Sequence, residues 1–126
     1  MRLFSRLSAI LILGFCLRMA AVSFGLPAAY HADEPIVVNH ALAYGGGDLN
    51  PHFFKIPPLA SYLLFASYGL FFLSGKILGF FSSPADFEKL FYSDPSLFYL
   101  TGRILLGVIP GTLCIWALYK LAKKYF

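Results

Sequence analysis

The chain has 126 residues, of which 59% are hydrophobic and 18% aromatic, while only 13% carry a charge. A soluble domain of this length cannot hide so much apolar surface, so the composition argues against a soluble enzyme and predicts a membrane protein. The net charge of +4 does not indicate a nucleic-acid partner, because the basic residues flank apolar runs, where they face phospholipid headgroups.

The first apolar block covers residues 7–26 and is interrupted by Arg18. At 1.5 Å per residue, about 20 residues cross a hydrocarbon core of roughly 30 Å, so the block predicts a transmembrane helix. A secretory signal is the alternative, since Arg2 and Arg6 precede an apolar core at 7–17. Arg18 and the apolar continuation beyond it favour the spanning helix.

A polar loop follows, which we expect to belong to an external segment covering residues 27–100. Asp33 is placed as the N-cap of a short helix, with Glu34 and Pro35 in its first turn and the glycines at 45–47 at its end. The loop therefore predicts a helix that runs near the membrane surface.

Two more apolar blocks lie further along the chain, at residues 59–81 and 101–121. If the first of these lies along the outer surface or is re-entrant, the termini share the inner side and all six acids lie outside. That arrangement satisfies the positive-inside rule, whereas a third crossing removes the charge bias. The sequence therefore predicts an all-α membrane protein with two transmembrane helices, at 7–26 and 101–121, or three if residues 59–81 also cross.

Adjacent carboxylates at Asp33 and Glu34 are the first candidate for chemistry. Such a pair can accept a proton, hold a divalent cation or cap a helix. His31 could join them as a metal ligand, although the spacing of His31, His40 and His52 matches no compact zinc signature. A divalent metal thus stays open as a cofactor.

Three cations complete the candidate site: Arg18, Lys55 and Arg103. A guanidinium inside a spanning helix needs an anion or reaches towards the lipid headgroups. Under the two-crossing topology all three cations lie at the outer interface, where they could surround a lipid-linked phosphate. Cys16 and Cys114 lie inside apolar runs, which predicts buried thiols and no disulfide.

The order of these motifs resembles a known family. An apolar helix with Arg18 is followed by HADEPIVVNHALAYGGGDLNPHFFKIPPLASYLL, an aromatic-rich block and then YLTGRILLGVIPGTLCIWALYKLAKK. This pattern is similar to the N-terminal module of the C superfamily of membrane glycosyltransferases, especially the dolichyl-phosphate-mannose protein mannosyltransferases and the aminoarabinose transferases. The resemblance covers nearly the whole chain.

The resemblance implies juxtamembrane helices in the first external loop and transfer of a sugar, with inversion, from a polyprenyl-phosphate donor to a protein, lipid or glycan acceptor. It implies that Asp33 is the catalytic base, that Glu34 orients the acceptor or a metal, and that basic residues, here Arg18, Lys55 and Arg103, bind the donor phosphate. The reaction would take place on the non-cytosolic side of the cytoplasmic membrane or of an endomembrane.

Members of this family have more membrane spans than 126 residues can supply. We therefore expect a fragment, one half of a split enzyme or a subunit, which is inactive without a second chain that carries the missing helices. The alternative is a small non-enzymatic membrane protein that packs against a larger complex, or a lipid-binding subunit in which the cations hold phosphate without catalysis.

Overall fold

The computed structural model describes residues 2–125, and the side chains of residues 6–125. This part of the chain is helical and contains no strand, which confirms the all-α prediction. The α-helices are α1 (Arg2–Ala20), α2 (Asp33–Ala43), α3 (Leu59–Ile77), α4 (Pro84–Ser93), α5 (Ser96–Arg103) and α6 (Ile109–Tyr125). A 3-10 turn (Tyr44–Gly46) follows α2, and a π-helical turn (Ile104–Val108) joins α5 to α6.

The chain divides into two compact units. Within the described residues, the first consists of residues 2–24 and 103–125 and is here called the helix-pair unit. The second consists of residues 25–102 and is called the loop unit. Each unit has its own packing and is described separately.

In the helix-pair unit, α1 and α6 run antiparallel. A Cβ at Gly14 would lie 2.5 Å from Ile115 Cδ1, and a Cβ at Gly111 would lie 2.6 Å from Arg18 Nε. Gly14 of α1 thus lies against Ile115 of α6, and Arg18, one turn later in α1, lies against Gly111, one turn earlier in α6. The start of α1 and the lysine-rich end of α6 therefore lie at the same end of this unit.

Helix α1 ends earlier than the sequence predicted. It stops at Ala20, and turns with backbone hydrogen bonds of 3.1 to 3.3 Å follow as far as Phe24. Gly25 has a positive φ of 76°, and Pro27 has no N–H to donate, so the helix cannot continue to residue 26. Arg18 consequently lies in the last turn of α1.

The π-helical turn has a local cause in the sequence. Pro110 lacks an N–H and its ring would clash with the carbonyl four residues earlier in a regular α-helix. The chain widens just before it, and the Ile109 N–H bonds to the Ile104 carbonyl, five residues back. The helical run nevertheless continues without a break through Ser96–Tyr125.

The hydrophobic core of the loop unit lies mainly where α2 packs against α3. Tyr44 stacks on Tyr62 with ring centroids 4.9 Å apart, and the hydroxyls of Tyr44 and Ser61 are 3.0 Å apart. The core residues with the smallest exposed fractions in this unit are Val38, Ala41, Tyr44, Leu64, Tyr68, Phe98 and Tyr99.

The polar residues of α3 are satisfied inside the protein. Ser67 donates to the Leu64 carbonyl at 2.8 Å, and the buried Tyr68 hydroxyl donates to the Phe98 carbonyl at 2.9 Å. The opposite face of the helix is an exposed apolar stripe. Its members follow at intervals of three, four or seven residues: Leu59, Leu63, Leu70, Leu73 and Ile77. The hydroxyls of Ser61 and Tyr68 are thus buried, whereas Tyr62 and Ser74 are exposed although their hydroxyls also donate to backbone carbonyls.

An aromatic cluster closes the other end of the loop unit. Pro84 begins α4 behind a capping box, in which the Ser83 N–H donates to Asp86 Oδ2 at 3.0 Å. This helix presents Phe87 to rings from α3 and α5 at centroid distances of 5.1 to 5.7 Å. The rings in the cluster are Phe71, Phe72, Phe81, Phe87, Phe91 and Phe98.

Among the described residues, two helical runs are long and apolar enough to cross a membrane, Leu59–Ile77 and Ser96–Tyr125. The second contains the predicted span at 101–121, whereas the first is the block that we expected to lie along the surface, and the predicted span at 7–26 is not one of the two. Much apolar surface of α1 and α6 is exposed, for example at Leu17 and Leu118. Cys16 and Cys114 are also exposed and unpaired, so the prediction that their thiols are buried is wrong. These features indicate a membrane protein.

Candidate functional site

The acid pair lies in the first turn of α2, and this helix begins one residue earlier in the sequence than predicted. The N-cap is Ala32, so Asp33 and Glu34 are the first and second helical residues. The turn begins early because the Glu34 N–H donates to the His31 carbonyl at 3.2 Å. Carboxylates at this end of a helix are favoured by its dipole.

The two carboxylates have different surroundings. Asp33 is exposed, whereas Glu34 is half-buried and has a polar interaction within the protein. Glu34 is close enough to the buried Tyr99 of α5 for its charge to act on that hydroxyl. Asp33 is therefore the more accessible of the two carboxylates.

Lys55 lies in the extended segment that returns along α2. The next residues, Ile56 and Pro57, line a cavity of about 10 Å³ with Ile36 and Val37, which holds no more than one water molecule. Lys55 itself is exposed. The residues after Lys55 therefore pack on α2 about one turn beyond the acid pair.

Arg18 occupies a notch in the helix-pair unit formed by two glycines. Its Nη1 donates to the Gly14 carbonyl at 2.8 Å, and its guanidinium lies against Gly111, where a Cβ would displace it. The side chain is exposed. A guanidinium has five N–H groups, so this single hydrogen bond leaves Arg18 able to bind an anion.

Arg103 makes a different set of contacts in the same unit. Its Nη1 donates to the Val22 carbonyl at 2.8 Å and to the Phe24 carbonyl at 2.7 Å, both just beyond the end of α1. It also has a further polar interaction and is half-buried. Arg103 is therefore bound to the protein's own backbone.

The predicted site residues are thus divided between the units, with Arg18 and Arg103 in the helix-pair unit and Asp33, Glu34 and Lys55 in the loop unit. In the described part of the chain, no three His, Cys, Asp or Glu side chains lie close enough to hold a metal ion. His31 therefore does not form a three-ligand site with the acid pair.

Sequence reasoning missed a hydrogen-bonded loop at residues 48–52. His52 Nε2 donates to Asp48 Oδ2 at 2.7 Å, the Asn50 N–H donates to Asp48 Oδ1 at 2.8 Å, and the His52 N–H donates to Asn50 Oδ1 at 3.2 Å. Tyr62 of α3 anchors the loop by donating to the Leu49 carbonyl at 2.8 Å. Asp and Asn two residues apart before a proline were the available signal for such a turn.

The hydrogen bonds from His52 and from the Asn50 N–H lower the pKa of Asp48. A lowered pKa means that the carboxylate stabilises the loop above the ordinary aspartate pKa of about 3.9 and that this contribution disappears as the pH falls through the lower value. We expect amide exchange at residues 48–52 to be slower in the wild type than in Asp48→Asn at neutral pH, with no difference at strongly acidic pH. Glu88→Gln removes an exposed carboxylate elsewhere and serves as the control; a difference between the wild type and Asp48→Asn that does not change with pH would contradict the assignment.

Comparison of the chain with protein-family models, with curated proteins and with solved structures gives no match.

The charges separate sharply between the two units. All six acids belong to the loop unit, where they outnumber its three basic residues, Lys55, Lys76 and Lys89. The helix-pair unit has no acid. Its basic residues are Arg2, Arg6, Arg18, Arg103, Lys120, Lys123 and Lys124. No aspartate or glutamate of the helix-pair unit can therefore neutralise its cations.

Proposed function

We propose that this chain supplies the N-terminal membrane module of a glycosyltransferase that transfers a sugar from a polyprenyl-phosphate donor with inversion. The observation that carries the proposal is the exposed Asp33 carboxylate at the start of α2, on the connection between two apolar helices. An accessible carboxylate at this position can take a proton from an acceptor hydroxyl. The order of motifs along the chain, which resembles that of the C superfamily, supports the same reaction.

In the proposed reaction, the hydroxyl oxygen of the acceptor attacks the anomeric carbon of the donor while Asp33 takes the proton of that hydroxyl. The bond between that carbon and the phosphate oxygen breaks, and the polyprenyl phosphate leaves with the electron pair. Arg18 in the helix-pair unit and Lys55 in the loop unit are separate candidates for contact with the leaving phosphate, because each cation is exposed. Stabilisation of the developing negative charge is where such cations contribute most to the rate.

The proposed topology has α1 and α6 crossing the membrane as an antiparallel pair. Lys120, Lys123 and Lys124 and the start of α1 then lie on the cytosolic side, in agreement with the positive-inside rule. Because the chain leaves and re-enters the membrane on one face, α3 cannot cross alone and lies at the interface or re-enters. The acid pair belongs to the non-cytosolic side in this arrangement.

Cysteine labelling tests the topology directly. In a background without Cys16 and Cys114, we expect Ser82→Cys to react with a membrane-impermeant maleimide added outside intact cells. We expect Lys124→Cys to react only after the membrane is opened. Protection of Ser82→Cys until the membrane is opened would show that α3 crosses and would contradict the two-crossing arrangement.

The activity is tested in membranes that contain the chain together with its natural partners. Radiolabelled sugar on a polyprenyl phosphate should appear on an acceptor in these membranes and not in membranes that lack the chain. If the chain binds polyprenyl phosphate but no sugar is transferred, the lipid-binding subunit is the better description. If neither occurs, the non-enzymatic packing role is the better description.

A further inference from the structure

We propose that Arg103 is a positioning residue and not a ligand of the donor phosphate. Its guanidinium ties down the chain where it leaves α1, and so fixes the point from which the segment carrying Asp33 begins. This inference rests on the proposed glycosyltransferase function, but its first two measurements do not require sugar transfer.

Arg103 acts as a clamp, which here means that its guanidinium holds the backbone turn just after α1. The end of a helix leaves carbonyl groups without helical partners, and at a membrane boundary such groups need a donor. The Val22 and Phe24 carbonyls both receive a hydrogen bond from Arg103 Nη1, across about 80 residues of sequence. A cation beside the C-terminal end of α1 also complements the helix dipole. One side chain therefore joins the exit of α1 to the C-terminal end of α5.

Comparison with Arg18 separates the two roles. Bidentate recognition of a phosphate requires two neighbouring N–H groups on one edge of the guanidinium. The two carbonyls use both N–H groups of Arg103 Nη1, which removes the Nη1–Nη2 edge, and the side chain is half-buried. Within the described residues, Arg18 donates one hydrogen bond, to its own helix, and its side chain is exposed. Arg18 is therefore the more accessible of the two to an incoming phosphate.

The first measurement is hydrogen exchange in lipid nanodiscs. Arg103→Gln should speed amide exchange at residues 21–24 roughly tenfold, as expected for the loss of two hydrogen bonds that hold a turn. Arg18→Gln should leave exchange in this segment unchanged. Arg103→Lys should restore much of the protection, because an ammonium group can donate to both carbonyls.

The second measurement is binding of a polyprenyl monophosphate, counted by native mass spectrometry. Arg103→Gln and Arg103→Lys should bind as the wild type does, and Arg18→Gln should lose most of the bound lipid. In the transfer assay, Arg103→Gln should lower kcat by about 10- to 100-fold, the cost of a misplaced catalytic group, with the donor KM changed by less than about threefold. Arg18→Gln should instead raise the donor KM.

Loss of lipid binding in Arg103→Gln equal to that in Arg18→Gln would make Arg103 a phosphate ligand and overturn the inference, as would unchanged exchange at residues 21–24. If Arg103→Gln does not fold, Arg103→Lys decides the question. A lysine that keeps exchange protection and lipid binding supports the clamp, and one that loses lipid binding while the turn stays protected refutes it. An absence of sugar transfer in the wild type would contradict the proposed function but would leave the exchange and binding results interpretable.

Discussion

Asp33→Asn is expected to lower the rate of sugar transfer by about 100- to 10,000-fold, the usual contribution of a general base. The amide keeps the size of the side chain but cannot take the acceptor's proton. Because that proton moves only in the transition state, kcat should fall while the donor KM changes little. The measurement is the initial rate of transfer from a labelled polyprenyl-phosphate sugar in membranes that contain the chain and its natural partners.

Glu88→Gln is the matched control for this substitution. Glu88 is an exposed carboxylate on α4, so its replacement removes the same charge without touching the acid pair. Glu34→Gln should have a smaller effect than Asp33→Asn, because Glu34 is half-buried and therefore less accessible to an acceptor. Turnover by Asp33→Asn at the wild-type rate would remove Asp33 from the mechanism.

Gly75→Ala is expected to destabilise the loop unit by about 1–3 kcal/mol, the usual cost of overpacking a filled core. Gly75 is buried in α3, and a Cβ there would overlap the ring atoms Cδ2 and Cε2 of Phe81. That ring cannot move aside easily, because Phe71 and Phe87 both pack edge-on against it. The chain also turns back at this point, where the Phe80 N–H donates to the Gly75 carbonyl at 2.8 Å.

The measurement is the thermal unfolding midpoint in detergent micelles, with Gly69→Ala as the matched control on the same helix. No atom lies within 4 Å of a Cβ built at Gly69. Alanine there should stabilise the helix by about 0.5–1 kcal/mol, since it has the higher helix propensity. The two alanine variants should therefore shift the midpoint in opposite directions. A fall of the same size in both would mean that the helix and not the contact with Phe81 determines the result.

Local signals in the sequence predicted much of the fold. The Asp-Glu-Pro start and the triple glycine bounded α2 correctly to within one residue at its start, and Gly47 has the left-handed φ of 97° expected at a helix end. The prolines before Leu59 placed the start of α3. These features depend on a few neighbouring residues, so a single sequence is enough to find them.

Features that depend on distant contacts could not be predicted in this way. The sequence of α3 does not show which of its serines and tyrosines its partners cover: Ser61 and Tyr68 are buried, whereas Tyr62 and Ser74 are exposed. Similarly, nothing near Arg103 in sequence reveals its hydrogen bonds to the Val22 and Phe24 carbonyls. The sequence therefore supplies the residue types of the candidate site, while the contacts of each side chain come from the structure.

The serines of α3 also bear on how this protein reaches its membrane. Ser61, Ser67 and Ser74 each donate to the carbonyl three residues earlier, at 2.8 Å. These bonds lie within a single turn, so they form as soon as the segment coils and do not wait for α2 or α5. The three hydroxyl groups are thus shielded by α3 itself, before the helix packs against its partners.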